Sequence, residues 1–301
     1  MTDLNVPPFD DPTQYQIPTA CIWEVMARKV GNVHPNARFR DVDCVSFLLS
    51  AAVITPNFGY RKDYMYIGDT ILACARRTRA VVGTNTNLGI LLLLTPLAYP
   101  GAPLNSAEFA KLVLHDEYCG EHDAKCVYEA IRLANPGGLG DVPEQDVRDE
   151  PTVTLLEAMR LAAERDMVAR QYANGFADVF DFGVPALVNA FTKFGCIEAA
   201  IIDSQLRWLA AYPDSLIARK NGPAVAEDVQ KRAAEVLQLG GIATPEGRAA
   251  GVALDKHLRS DGNKLNPGTT ADLITACLFV ALRENKVTPS APFRWQVSDW
   301  L

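Results

Sequence analysis

The segment Asn266-Pro267-Gly268-Thr269-Thr270-Ala271-Asp272, running into the apolar stretch Leu273-Ile274-Thr275-Ala276-Cys277-Leu278-Phe279, constrains the fold more than any other part of this chain. Pro267 and Gly268 interrupt whatever precedes them, and Thr269 or Thr270 caps the helix that begins there. Such a start leaves a row of backbone N–H groups without helical partners, a ready site for phosphate oxygens. Asp272 falls in the first turn, where it either caps or holds a divalent metal beside that phosphate. An ordinary capped core helix has the same look, so the reading needs a second observation.

Gly83-Thr84-Asn85-Thr86-Asn87-Leu88-Gly89 supplies it, leading into Ile90-Leu91-Leu92-Leu93-Leu94. This is again a polar, glycine-bounded turn that opens a strongly apolar helix. The apolar run extends about ten residues before Pro96, well short of the ~20 that cross a bilayer, so it reads as a buried helix. A helix held that deeply fixes the polar turn at its head, and two such turns present two helix N-termini to one polyanion.

The rest of the chain is read as helical too, with periodicity near 3.6 and few alternating stretches. Helices are expected over Thr19–Val30, Val42–Ile54, Tyr66–Thr78, Leu88–Ala98, Asn105–Leu114 and Asp123–Leu133. Further helices are expected over Thr154–Arg170, Val184–Lys193, Cys196–Tyr212, Ala224–Leu239, Pro245–Asp261 and Thr270–Glu284. Loops are expected over Asn32–Arg40, from Asn135 through Gly140 to Pro151, and over Pro213–Pro223. No linker argues for a break, so the expectation is an all-α protein: an extended segment over 1–18 and one multi-helix globular domain over 19–301.

Composition narrows the partners. With 49% apolar residues a substantial core is available, and a net charge of −7 without a dense basic tract makes nucleic acid a poor partner. The proline- and aspartate-rich N-terminus lacks the build of a signal peptide, and no stretch reads as a membrane span. Seven scattered cysteines fit reduced thiols, and a cytoplasmic location is expected.

Several charged groups are candidates for chemistry. Glu24 and Arg28 stand four apart on the first expected helix, a spacing that commonly means a surface ion pair. Asp41 and Asp43 open the next helix; either they cap it or, being close and of like charge, they share a cation. Arg165 and Arg170, near Asp166, form either an anion clamp or a salt-bridge network. Asp214 through Arg219, Lys220 and Gly222 is either a loop that closes over phosphates or a solvated one. His115, Cys119, His122 and Cys126 recur at helical spacing, but one straight helix cannot wrap a zinc ion, so ordinary surface and core positions are expected for them.

With these residues in hand, the chain resembles the triphosphoribosyl-dephospho-CoA synthase family from about Cys21 to Arg283. Glu24…Lys29-x-Gly31 is similar to the family's Glu…Lys-Pro-Gly, and Asp41-Val42-Asp43-x-x-Ser46-Phe47 to its Asp-Met-Asp-x-x-Thr-Phe. The Gly83–Gly89 turn parallels Gly-Val-Asn-Thr-His-Lys-Gly, and Asn266–Leu273 parallels Ser-Pro-Gly-Gly-Ser-Ala-Asp-Leu. Asp214…Arg219 resembles the family's Asp-Thr-Asn…Arg element. Departures are Asn87-Leu88 for His-Lys and Val30 for proline. The Asn-Thr-Asn-Leu-Gly form resembles a divergent branch associated with pterin-linked one-carbon chemistry.

The resemblance implies a transferase that joins the ribose C1 of ATP to dephospho-CoA and expels adenine. It further implies Mg²⁺ held by Asp41, Asp43 and Asp272. The phosphate contacts would come from Lys29, Thr84, Asn85, Asn87, Gly89, Arg165, Arg170, Arg219, Lys220, Asn266, Gly268 and Thr269. Glu24 or Asp214 would act as base or stabilise the developing cation. Two other readings stay open: an enzyme of pterin cofactor biosynthesis with another acceptor, or a non-catalytic ATP-binding subunit. The oligomeric state, a homodimer included, is not legible.

Overall fold

Residues 11–58, 66–139 and 144–301 are described by the computed structural model, and among them there is no β-strand, only an isolated bridge between His34 and Ala37. The first half carries α1 (Thr13–Met26), α2 (Cys44–Ile54), α3 (Ile67–Val82), α4 (Leu88–Leu97), α5 (Ser106–Leu112) and α6 (Glu121–Ala134). After the acidic loop come α7 (Leu155–Ala162), α8 (Met167–Asn174), α9 (Val184–Phe194) and α10 (Ile197–Ala211). The remainder is α11 (Ser215–Asn221), α12 (Pro223–Gln238), α13 (Pro245–Leu258) and α14 (Gly268–Arg283). The all-α expectation holds, and no described helix is long and apolar enough to cross a membrane.

Helix α14 runs through the middle of the molecule. Leu273, Ile274, Leu278, Phe279, Val280 and Leu282 are at most 2% exposed, because α1, α4, α8, α9, α10 and α11 surround it. Each such side chain contributes about 1.5–3 kcal/mol by burial. Helix α4 lies against α14 and is buried along its whole length. A second apolar cluster joins α10, α12 and α13 with Trp300.

Local chemistry explains where boundaries depart from expectation. The first helix starts at Thr13, not Thr19, because Asp11 accepts the backbone N–H of Thr13 at 2.8 Å. The expected extended segment therefore loses residues 13–18, and residues 1–10 of it lie outside the described ones. The same helix stops at Met26, where Ala27 turns extended (ψ 135°), freeing Arg28, Lys29 and Gly31 to form a connector. The helix expected over Thr154–Arg170 is two helices, since the Asp166 carboxylate accepts from Val168 N and Ala169 N and so starts α8. Asp214 likewise caps α11 inside the expected loop over Pro213–Pro223. Of the expected acidic loop, residues 140–143 lie outside the described ones.

Two further expectations are corrected. Glu24 and Arg28 do not pair on the surface: Arg28 forms a buried ion pair with Glu198 at 2.7 Å, and Glu24 pairs with Lys29 at 3.0 Å. His115 and Cys119 precede α6 rather than continuing it, so the four His and Cys residues do not share one helical face.

Candidate active site

The turn before α4 is built by side chains that bond to its backbone or to neighbours. Gly83, with φ +78°, ends α3 in the left-handed region, where glycine is unstrained. Asn85 Oδ1 accepts from Leu88 N at 3.1 Å, and the Thr86 hydroxyl bonds that of Ser50 on α2. Asn87 donates to Thr78 Oγ1 at 3.0 Å. The head of α4 is thereby held by α2 and α3.

The head of α14 is fixed from another side. Asp214 Oδ2 accepts both Thr270 N and Thr270 Oγ1 at 2.8 Å, while its Oδ1 accepts from Leu216 N and Ile217 N. Ser215 donates to Thr269 Oγ1 at 3.1 Å. Asn266 accepts from Asn32 at 2.7 Å, and Gln205 holds the Asn32 amide in turn. Gly31, with φ +69°, leaves room for Leu258 and Pro267 where a Cβ would collide.

These heads border one cavity of about 280 Å³, near the lower end of ligand-pocket volumes. Its wall includes Asn85, Asn87, Leu88 and Gly89 from the first turn and Asn266, Gly268, Thr269 and Asp272 from the second. Val168 and Ala169 bring a third helix head, that of α8, and Glu24, Arg165, Asp166 and Arg219 add charge. Val25, Val33, Phe47 and Met159 make an apolar side. Three helix N-termini around one cavity favour an anionic ligand.

Glu24 and Asp272 are the unusual groups. Lys29 is fully buried behind Glu24 and donates to its backbone carbonyl as well as facing its carboxylate. Burial pushes the Glu24 carboxyl above its ordinary range, and Lys29 opposes that rise. Asp272 lies deep, with part of its surface open to the cavity. No described residue bonds to its carboxylate or pairs with it. Desolvation first, and then the negative charges of Glu24, Asp214 and Asp166, raise its pKa well above the usual value. Gly89 is the residue that lets it sit there: a Cβ at that position would come within 2.0 Å of Asp272 Oδ2.

Not every expected site residue reaches the cavity. Asp214 is occupied on both oxygens by caps, which corrects its reading as a base: it positions the heads of α11 and α14. Arg170 is committed to Asp178 at 2.8 Å and to the Tyr212 ring, the structural alternative for that pair. Lys29 acts on Glu24, and Thr84 lines a minor crevice behind the turn. Lys220 lies against Gly137 at the rim, its pKa lowered by burial and raised in part by Asp214 and Asp41. Asp43 caps α2 through Ser46 N at 3.0 Å, and the carboxylates of Asp41, Asp43 and Asp272 do not all lie within 4.8 Å of one another. Asn32 and the apolar side were not singled out from sequence, and Asp166 was read only as a neighbour of the two arginines; Phe47 stood inside a matched motif, whereas Asn32 carried no signal.

Comparison with known proteins identifies the family. The family model for ATP:dephospho-CoA triphosphoribosyl transferase matches residues 13–290. A Pseudomonas putida protein named "Probable 2-(5''-triphosphoribosyl)-3'-dephosphocoenzyme-A synthase" is 35% identical over 113 residues, which are 37% of this chain and 40% of that protein. The chain thus spans less than half the length of that relative. A Vibrio cholerae protein of the same name is 34% identical over 271 residues, covering 81% of this chain and 78% of its own. The crystal structure of a candidate triphosphoribosyl-dephospho-CoA synthase from Archaeoglobus fulgidus superimposes with a TM-score of 0.60 at 28% identity, covering 79% of this chain and 98% of that one. On the extent of the family match, the chain belongs to the ATP:dephospho-CoA triphosphoribosyl transferase family.

Proposed function

We propose that this protein transfers the triphosphoribosyl group of ATP to dephospho-CoA, or to a closely related hydroxyl acceptor, with release of adenine. The observation that carries the reading is the unpaired Asp272 carboxylate set between the heads of α4 and α14, with Glu24 on the same wall. Backbone N–H groups at the heads of α4 and α14, Gly89 N and Thr269 N among them, suit a triphosphate, whereas those of α8 already donate to Asp166 and Ser215; Arg165, which forms no ion pair among the described residues, is available to its oxygens.

A Mg²⁺ ion fits this donor set, since Mg²⁺ is commonly held by one or two carboxylates together with substrate phosphates. Asp272 would supply the protein carboxylate, and the ion would offset the triphosphate charge. Glu24, whose charged form Lys29 favours against the effect of burial, takes the proton of the acceptor hydroxyl as that oxygen bonds to C1 of the ribose. The bond from C1 to adenine breaks with its electron pair going to the base, which takes a proton from solvent, and the negative wall stabilises the cationic character at C1. The apolar side formed by Val25, Val33, Phe47 and Met159 suits a flat base and excludes water.

Incubation with ATP, Mg²⁺ and dephospho-CoA, followed by mass spectrometry, tests the reading. Adenine with a triphosphoribosyl adduct is the expected result. Adenine without adduct would move the acceptor elsewhere, pterin precursors first. ATP binding without adenine would overturn the transfer reading in favour of a binding subunit.

A further inference from the structure

Away from the cavity, α3 and α6 lie side by side with their N-termini together. Asp123 fixes that register: its Oδ1 accepts from Gly68 N at 2.7 Å and its Oδ2 from Gly120 N at 3.2 Å. A Cβ on Gly68 would strike Asp123, so the two helices approach as closely as backbones allow. Arg76 and Glu129 tie them again further along, at 2.6 Å.

This register sets Asp69 of α3 against His122 and Cys126, which stand one turn apart on α6. His122 Nε2 is 2.9 Å from Asp69 Oδ1, Cys126 Sγ is 3.4 Å from the same oxygen, and Sγ is 3.6 Å from Nε2. Tetrahedral zinc binds sulfur at about 2.3 Å and nitrogen or oxygen at about 2.0–2.1 Å, which separates ligand atoms by about 3.3–3.5 Å. The triangle formed by the three donors is one face of that tetrahedron to within a few tenths of an ångström. The ligands come from two helices, so the objection to a single helix wrapping an ion does not apply.

We propose that Asp69, His122 and Cys126 form a zinc-binding site that clamps the N-termini of α3 and α6, with a water in the fourth position. Thiolate and imidazole select zinc over magnesium, so this site and the substrate cavity would take different metals. Binding is a simple exchange: the Cys126 thiol loses its proton to solvent, and the sulfur lone pair is donated to the ion. Two helix heads disfavour a cation, and Asp69, Asp123 and Glu121, all in the first turns, supply the opposing charge. Cys126 is buried while His122 and Asp69 keep 55% and 43% of their side chains exposed, so the site opens to solvent on one side. The tilted edge contact of Tyr66 with the His122 ring, centroids 5.1 Å apart, holds the imidazole in place.

The clamp is remote from the cavity. From Asp69 to Val82 helix α3 rises about 20 Å, and it is the far end of α6, through Ile131, that lines the cavity. The expected effect is therefore on stability rather than on turnover.

Titration of the chelator-treated full chain with Co²⁺ gives a direct readout through the thiolate-to-cobalt charge-transfer absorption. One equivalent should saturate the signal, and added Zn²⁺ should abolish it while raising the Tm. Cys126→Ser should remove the absorption, and His122→Ala, at an exposed position that leaves the fold intact, should weaken Co²⁺ binding at least tenfold. No charge-transfer signal in the wild type, or an unchanged one in Cys126→Ser, would overturn the proposal.

Discussion

Asp272 and Glu24 share a wall but differ in what stands behind them. Glu24 has Lys29 at 3.0 Å; Asp272 has only other carboxylates and a distant Arg219. A carboxyl whose folded pKa is raised holds its proton more tightly in the fold than in the unfolded chain. Its contribution to stability is therefore greatest in acid and falls as pH rises from the ordinary value of 3.8 through the raised one. Asp272→Asn should accordingly raise the Tm of the ligand-free protein at neutral pH, by the equivalent of about 1 kcal/mol, with the gain shrinking as pH is lowered. The same variant should lose turnover and Mg²⁺-dependent ATP binding; thermal melts across pH, with isothermal titration, check both. Glu24 invites the opposite experiment. Lys29→Met removes the charge that opposes the rise in the Glu24 pKa, so that pKa should climb further and the acid limb of the pH–rate profile should move to higher pH. Glu24→Gln should cost about 10²–10⁴ in kcat if Glu24 is the base.

At the scale of elements, the site is a meeting of helix heads, and its precision depends on what fixes them. Gly89 stands in an ordinary helical conformation, so alanine there would favour helix α4 locally by about 1 kcal/mol. The added methyl would nevertheless occupy the position of Asp272 Oδ2. Gly89→Ala should thus leave the circular dichroism unchanged and abolish turnover, a separation that steady-state kinetics on the folded variant would reveal. The two turns were legible in sequence because glycine, proline and short polar residues preceding apolar runs carry their own conformational meaning. The head of α8 was not. Asp166 lies inside a stretch with helical periodicity on both sides, and only the bonds its carboxylate accepts from Val168 N and Ala169 N show that it starts a new helix. Asp214 misled in the same way. An acid beside a basic pair has the look of catalysis, yet both its oxygens are satisfied by backbone and Thr270.

Across the whole molecule, the central helix ties the cavity to the core. Sequence patterning showed that α14 begins at a turn bounded by proline and glycine and that its body is apolar; it did not show that six neighbouring helices would enclose it. Ion pairing was legible least of all. Spacing along the chain suggested Glu24 with Arg28, whereas the buried partner of Arg28 is Glu198, on α10. No local pattern encodes a contact of that range. Breaking one side of a buried pair strands the other charge, so Arg28→Met should cost about 3–5 kcal/mol of stability, measured by denaturant unfolding, while Arg28→Met with Glu198→Gln should recover part of it.

That pair is closed by residues from the far end of the chain. Trp295 N donates to Glu198 Oε2 at 2.8 Å, and Trp300 Nε1 donates to the Arg28 carbonyl at 2.8 Å. A ribosome making this protein releases Arg28 early, Glu198 much later and the two tryptophans later still. Until then the polar end of α1 and the head of α10 have no lid, and the nascent chain must keep a cation, an anion and an apolar seam waiting for their partners. Closure of this pair therefore waits for the end of synthesis, and a chain cut before Trp295 should be less stable and more prone to aggregate than the full one.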